Sequence, residues 1–164
     1  LTFIKIEIKI ENMGKIVLSI FFILSIFSFS EVRKNEYKLI YSEWKKIFSD
    51  NKEEVAEGIY KIGDKKIESC IPVILILLND NSIVWLKCNG YGKWTKIGRE
   101  VEEAMIKIGK NSLKYISNLL LKNEYPYIKI DENGEKRLIE IISKITGESF
   151  ENIEDCKNYL KDKF

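Results

Sequence analysis

One short pattern returns three times along the chain and constrains the fold more than any other feature. The first copy is Val55-Ala56-Glu57-Gly58-Ile59-Tyr60-Lys61-Ile62-Gly63, and the second is Val101-Glu102-Glu103-Ala104-Met105-Ile106-Lys107-Ile108-Gly109. A looser third copy runs from Leu138 through Lys144-Ile145 to Thr146-Gly147. Small or apolar residues fall at 55, 58, 59 and 62, at 101, 104, 105 and 108, and at 138, 141, 142 and 145. That spacing lines up one face of an α-helix. Each copy closes on Lys-Ile and a glycine. Lysine in the last turn suits the negative end of the helix dipole, and glycine accepts the left-handed conformation that ends a helix. The copies are therefore expected to be helices stopping at Gly63, Gly109 and Gly147.

Further helices are expected around them. Tyr37, Ile40, Tyr41, Trp44 and Phe48 form a stripe over 34–48. Asn51, with Glu54 three residues on, forms a capping-box pattern ahead of the first copy. A nearly all-apolar helix is expected over 66–78, with Pro72 in its first turns or kinking it. Others are expected over 99–108 and 112–122, in the third copy, and after Asn152 with Asp155 three on. The stretches 79–98 and 123–134 lack a helical period. A helical pair cannot hide its apolar face alone, so recurring pairs are expected to stack into a solenoid capped at both ends. A helical bundle with coincidental copies is the alternative.

The arrangement resembles the HEAT-repeat family, including the short HEAT-like repeats of bilin-lyase type, over 34–164. The residues that carry the resemblance are Val-x-x-x-Ile-x-Lys-Ile-Gly at 55–63, its near copy at 101–109, and the Leu-rich segments at 71–78 and 113–121. Thr95-x-Ile97-Gly98-x-Glu100 and the closing Ile145-Thr146-Gly147-x-x-Phe150 add to it. The resemblance implies an all-α, right-handed solenoid that acts as a protein-binding or scaffolding module, not an enzyme. A small lyase or an accessory subunit is the second implication, through the bilin-lyase branch. The 79–98 insertion and the long 63–72 connection depart from the family pattern.

Composition narrows the function. The chain has 27 basic and 25 acidic residues, a net charge of +2, and no histidine. The interspersed signs argue against a nucleic-acid surface, which needs a one-signed stripe. Without histidine there is no Ser/His/Asp or Cys/His set, and Cys/His zinc sites are not expected. No cofactor is indicated. Gly90-x-Gly92 lacks the third glycine and the strand–helix context of a nucleotide loop. Glu53-Glu54 and Glu102-Glu103 read as helix-start charges rather than catalytic carboxylate pairs, and Lys61, Lys107 and Lys144 as helix-end charges. Cys70 and Cys156 fall at apolar helix positions, whereas Cys88 falls in a loop.

The first 30 residues stand apart. Lys15 precedes an apolar run over 16–29, short for a membrane span of about 20 residues and of signal-peptide length. Ser28-Phe29-Ser30 fits a cleavage site, and Met13 reads as the start. Residues 1–30 are expected to be a signal peptide or an uncleaved anchor, and 31–164 an exported domain.

The partner site is expected on the long loops. Asn89-Gly90 is a strong hairpin signal. It predicts a small β-hairpin over 83–97, with Cys88 facing Tyr91, Leu86 facing Lys93 and Trp85 facing Trp94. Loops 49–51, 79–98 and 123–134 are expected on one edge. Their aromatics, Trp85, Tyr91, Trp94, Tyr125 and Tyr127, are of the types that dominate interface hot spots. The competing expectation is that Trp85 and Trp94 stack as a pair and cover the core, leaving Tyr91 and Tyr127 exposed.

Overall fold

The computed structural model describes residues 34–88 and 90–164. The expectations for residues 1–30 lie outside them. The chain divides into two units, Leu1–Leu39 and Ile40–Phe164. Of the first, only the backbone opening of helix α1 (Lys34–Ile47) is described.

Helix α2 (Lys52–Asp64) is the first copy of the repeated pattern. Asn51 caps it, its side chain accepting from the amides of Glu53 and Glu54. The return arm of a capping box is missing: Glu54 accepts from Ser49 Oγ at 2.6 Å, and the Asn51 amide turns to the same hydroxyl. After α2 come a 3₁₀ turn (Glu68–Cys70) and the five-residue helix α3 (Ile71–Leu75). A hairpin follows, β1 (Ile83–Cys88) with β2 (Tyr91–Lys96), and leads directly into α4 (Ile97–Ile108), the second copy. Helix α5 (Lys110–Leu121) precedes α6 (Glu132–Thr146), which contains the third copy, and α7 (Ile153–Lys161).

The three stripes are core except at Ile145, which is half-buried. Val55, Ile59, Ile62, Val101, Ala104, Met105, Ile108, Leu138, Ile141 and Ile142 are all buried. Helix α2 packs along α4, and α4 along α6. In α1 the inward side is Glu43, Trp44 and Ile47, and Tyr41 points out.

The all-α HEAT-like solenoid is not what the chain forms. A solenoid needs the same second helix after each copy. Here the first copy is followed by a 3₁₀ turn, a single five-residue helix and a β-hairpin, the second by a twelve-residue helix, and the third by a nine-residue one. The expected helix over 66–78 fails for a local reason. Lys66 is left-handed at φ 52° and Ile67 extends to ψ 88°, so no helix can run through them. Pro72 then sits in the first turn of α3, where its missing N–H costs nothing.

The glycine stops divide. Gly147 is left-handed at φ 80°, with its amide on Ser143 O at 2.8 Å. Gly109 has φ 82° and ψ −142° and forms a tight joint between α4 and α5. Gly63 is inside α2 with ordinary backbone, and its role is packing.

Candidate functional site

The hairpin has the predicted pairing: Cys88 faces Tyr91, Leu86 faces Lys93 and Trp85 faces Trp94. Gly90 takes φ 83° at its tip. Alternation along β1 sends Val84 and Leu86 into the core and Ile83, Trp85 and Lys87 outward. The two indoles meet edge to face, centroids 5.2 Å apart. The Trp85 ring lies so close over Gly92 that a Cβ there would fall 2.2 Å from its Cζ2. The pair does not cover the core: Trp94 is 71% exposed and Trp85 38%. Val84 and Leu86 supply the inward contacts instead. Cys88 ends a strand rather than lying in a loop.

Of the other predicted residues, Tyr91 is 81% exposed and Tyr127 50%. Tyr125 is half-buried and meets Tyr127 edge to face at 6.3 Å, in the turn after α5. The tyrosine pair and the tryptophan pair are thus two separate clusters. The three loops do approach one another. Lys52, just after 49–51, pairs with Asp80 at 2.9 Å, and Asn79 donates to Lys129 O at 2.6 Å.

Beside Trp94 lies an open groove of about 520 Å³, walled by Trp94 and Lys96 of the hairpin, Arg99 and Glu102 of α4, and Arg137 and Glu140 of α6. Sequence reasoning placed Glu102 and Glu103 at a helix start. Helix α4 opens earlier, at Ile97, so the first-turn acid is Glu100. The Glu100 carboxylate is buried and accepts from Thr95 Oγ1 at 2.7 Å and Lys93 Nζ at 2.8 Å. Burial alone would lower the Lys93 pKa, but Glu100 and Glu103 outweigh it and hold the ammonium above its usual range. Glu102 is 1% exposed and accepts from Arg99 Nη1 at 2.7 Å. The same nitrogen reaches Glu140 at 3.3 Å, and Lys144 closes on Glu140 at 2.6 Å. Two cations and two carboxylates thus neutralise one another.

Burial pushes the Glu102 carboxyl above its ordinary range; Arg99 opposes the shift and Glu140 adds to it. The hydrogen bond from Lys144 holds Glu140 below its range. A carboxyl raised in the folded state makes its stability contribution below its unfolded pKa. That contribution is lost as pH rises through the raised value. The melting temperature of Glu102→Gln relative to wild type should therefore rise as pH is raised through and above the ordinary carboxylate range. A pH-independent difference in melting temperature between the two proteins would refute this.

Cys70 and Cys156 are buried core residues, as their spacing implies, and burial pushes their thiols up to about 12 and about 11. No cluster of three or more Cys, Asp and Glu suited to a metal ion occurs among the described residues. No helix of the described residues is long and apolar enough to cross a membrane. The resemblance to the HEAT-repeat family finds no counterpart beyond the sequence: no protein-family model matches the chain, and neither curated proteins nor solved structures give a match.

Proposed function

We propose that the protein is a non-enzymatic binding module that captures a protein partner on the outer face of its hairpin. One observation carries this reading. Ile83, Trp85 and Trp94 lie together on one sheet face and are exposed, whereas Tyr91, paired with Cys88, falls on the other face at the tip. Water contact with so much aromatic surface is unfavourable by about 25 cal/mol per Å². Contiguous patches of that kind mark interaction sites, and tryptophan and tyrosine are the side chains that dominate them. The apolar run over 16–29 behind Lys15 extends the proposal to a role outside the cytoplasm.

A double substitution, Trp94→Ala with Ile83→Ala, tests it. Neither side chain is core, so the melting temperature should stay close to that of wild type. Capture of the partner that co-purifies with the full chain should fall at least about tenfold, as expected for hot-spot residues. Tyr41→Ala, an exposed ring on α1 outside the hairpin, should leave capture intact. Undiminished capture by the double variant would refute the hairpin as the site.

A second reading has one observation behind it. Glu102 is a desolvated carboxyl with a raised pKa at a groove wall, as an acid catalyst would be. Its carboxylate is committed to Arg99, and lone perturbed groups are as often structural as catalytic. A hydrolytic or lyase activity lost in Glu102→Gln, with binding retained, would favour this reading over the first.

A further inference from the structure

The groove beside Trp94 carries positive charge that ion pairs among the described residues compensate only in part. Arg99 is neutralised by Glu102 and Glu140, so it offers nothing to a ligand. Arg137 differs. Its guanidinium donates to Leu78 O and to Asn81 Oδ1 at 2.8 Å, both neutral acceptors. Among the described residues no carboxylate lies within ion-pair distance of Arg137 or of Lys96. Lys136, on the same wall, pairs with Glu132, and both side chains are exposed, where such a pair is worth little. Lys96, Lys136 and Arg137, besides Arg99, therefore line a groove whose hairpin wall also carries Trp94 and Ile83.

We propose that this groove takes an acidic, extended segment of a protein partner, an inference that rests on the docking role of the hairpin. Carboxylates of the segment would meet Lys96, Lys136 and Arg137, and an apolar side chain between them would cover Trp94 and Ile83. Charge complementarity of this kind sets partner choice and association rate. Two other ligand classes fit less well. Small-molecule pockets are concave and mostly apolar, whereas this groove is open and lined largely by charged side chains. Single strands of nucleic acid need successive stacking faces along a one-signed track. Here one indole edge points at the other ring, and Glu102 and Glu140 interrupt the track.

The full chain can be titrated with three probes, following tryptophan emission. One is a short synthetic peptide that alternates glutamate with valine around one phenylalanine. The second is the same peptide with lysine for glutamate, and the third is single-stranded oligothymidylate. The acidic peptide should shift the emission to the blue, with an affinity that falls as salt is raised. The double variant Lys96→Glu with Lys136→Glu should bind it at least about tenfold more weakly and should gain affinity for the lysine peptide. Both positions are exposed, and an unchanged melting curve will show that the variant is folded. Tighter binding of oligothymidylate, no binding of the acidic peptide, or an affinity indifferent to charge reversal would each overturn the proposal. If the lysine peptide binds wild type instead, and Trp94→Ala abolishes that binding, the docking role survives and only the acidic partner fails. If no peptide perturbs the emission, the acidic segment fails, and the docking role is decided by partner capture in the hairpin variant.

Discussion

Replacing Ile59 by alanine should cost about 2–5 kcal/mol of stability, read as a fall in the denaturation midpoint at unchanged m-value. Ile59 is fully buried at the centre of the first stripe, where α2 lies along α4. The lost transfer free energy alone is about 0.8 kcal/mol for each buried methylene. The cavity adds more, because the surrounding side chains are held on both sides. Ile62 and Met105 are also fully buried, and the backbones of α2 and α4 already touch at Gly63 and Ala104. Helices in that contact cannot close further to fill a hole, so the cost should lie toward the upper end of the range. Ile76→Ala is the control: Ile76 is exposed and should cost less than about 1 kcal/mol. Equal losses at the two positions would mean that the repeated stripe is not the core.

The stripes were legible because a 3.6-residue period survives in any helix that buries one side. The same is true of the hairpin. Asn89-Gly90 fixes a two-residue turn, the turn fixes the register, and the register places Trp85 opposite Trp94. What failed was the inference from repeated stripes to a repeated architecture. The period over 66–78 is as helical as any, yet a left-handed Lys66 and the extended Ile67 break the segment. No sequence rule flags a lysine at positive φ. The start of α6 was missed for a different reason. Asp131 caps the helix by accepting from the Gly134 amide, in a stretch whose first turn carries no apolar period. Caps are visible in a sequence only when a stripe follows at once.

The aromatic residues of the candidate site were legible by type, and their exposure was not. Alternation predicts that Trp85 shares a face with Ile83, but not which face meets the core. Burial of Val84 and Leu86 decides that, and it depends on where α2 lies. The groove charges were missed outright. Lys136 and Arg137 are neighbours on α6, but Lys96 is far from them in sequence, and only the fold brings it to the same groove. Arg99 and Glu102, three apart, and Glu140 and Lys144, four apart, have the spacing of helix pairs, but the Arg99–Glu140 link between helices leaves no local spacing to read.

Gly63→Val should destabilise the protein by about 3 kcal/mol, the upper end of what overpacking usually costs. An alanine Cβ at this position would already sit 2.5 Å from Ala104 Cα and 2.8 Å from Ala104 Cβ. The first of those atoms is backbone and cannot turn aside, so α2 and α4 must separate. Alanine would gain about 1 kcal/mol of helix propensity over glycine. Overpacking of about 1–3 kcal/mol outweighs that gain, so Gly63→Ala should also lose stability, and valine more. The series distinguishes packing from the helix-stop role that the Lys-Ile-Gly pattern suggests. A stop with positive φ would tolerate asparagine best, because asparagine accepts the left-handed region. Gly63 is helical and buried, so Gly63→Asn should be no better than Gly63→Val and should leave an amide without a partner in the helix contact. Gly147 is left-handed, and a Cβ there would meet nothing within 4 Å, so asparagine should be its mildest replacement. A double variant, Gly63→Ala with Ala104→Gly, removes one of the two clashing atoms and leaves the other. It should recover only part of the loss, giving a coupling of about 0.5–3 kcal/mol by double-mutant cycle. Additive losses, or an asparagine at 63 as stable as wild type, would show that the two helices do not meet at this glycine.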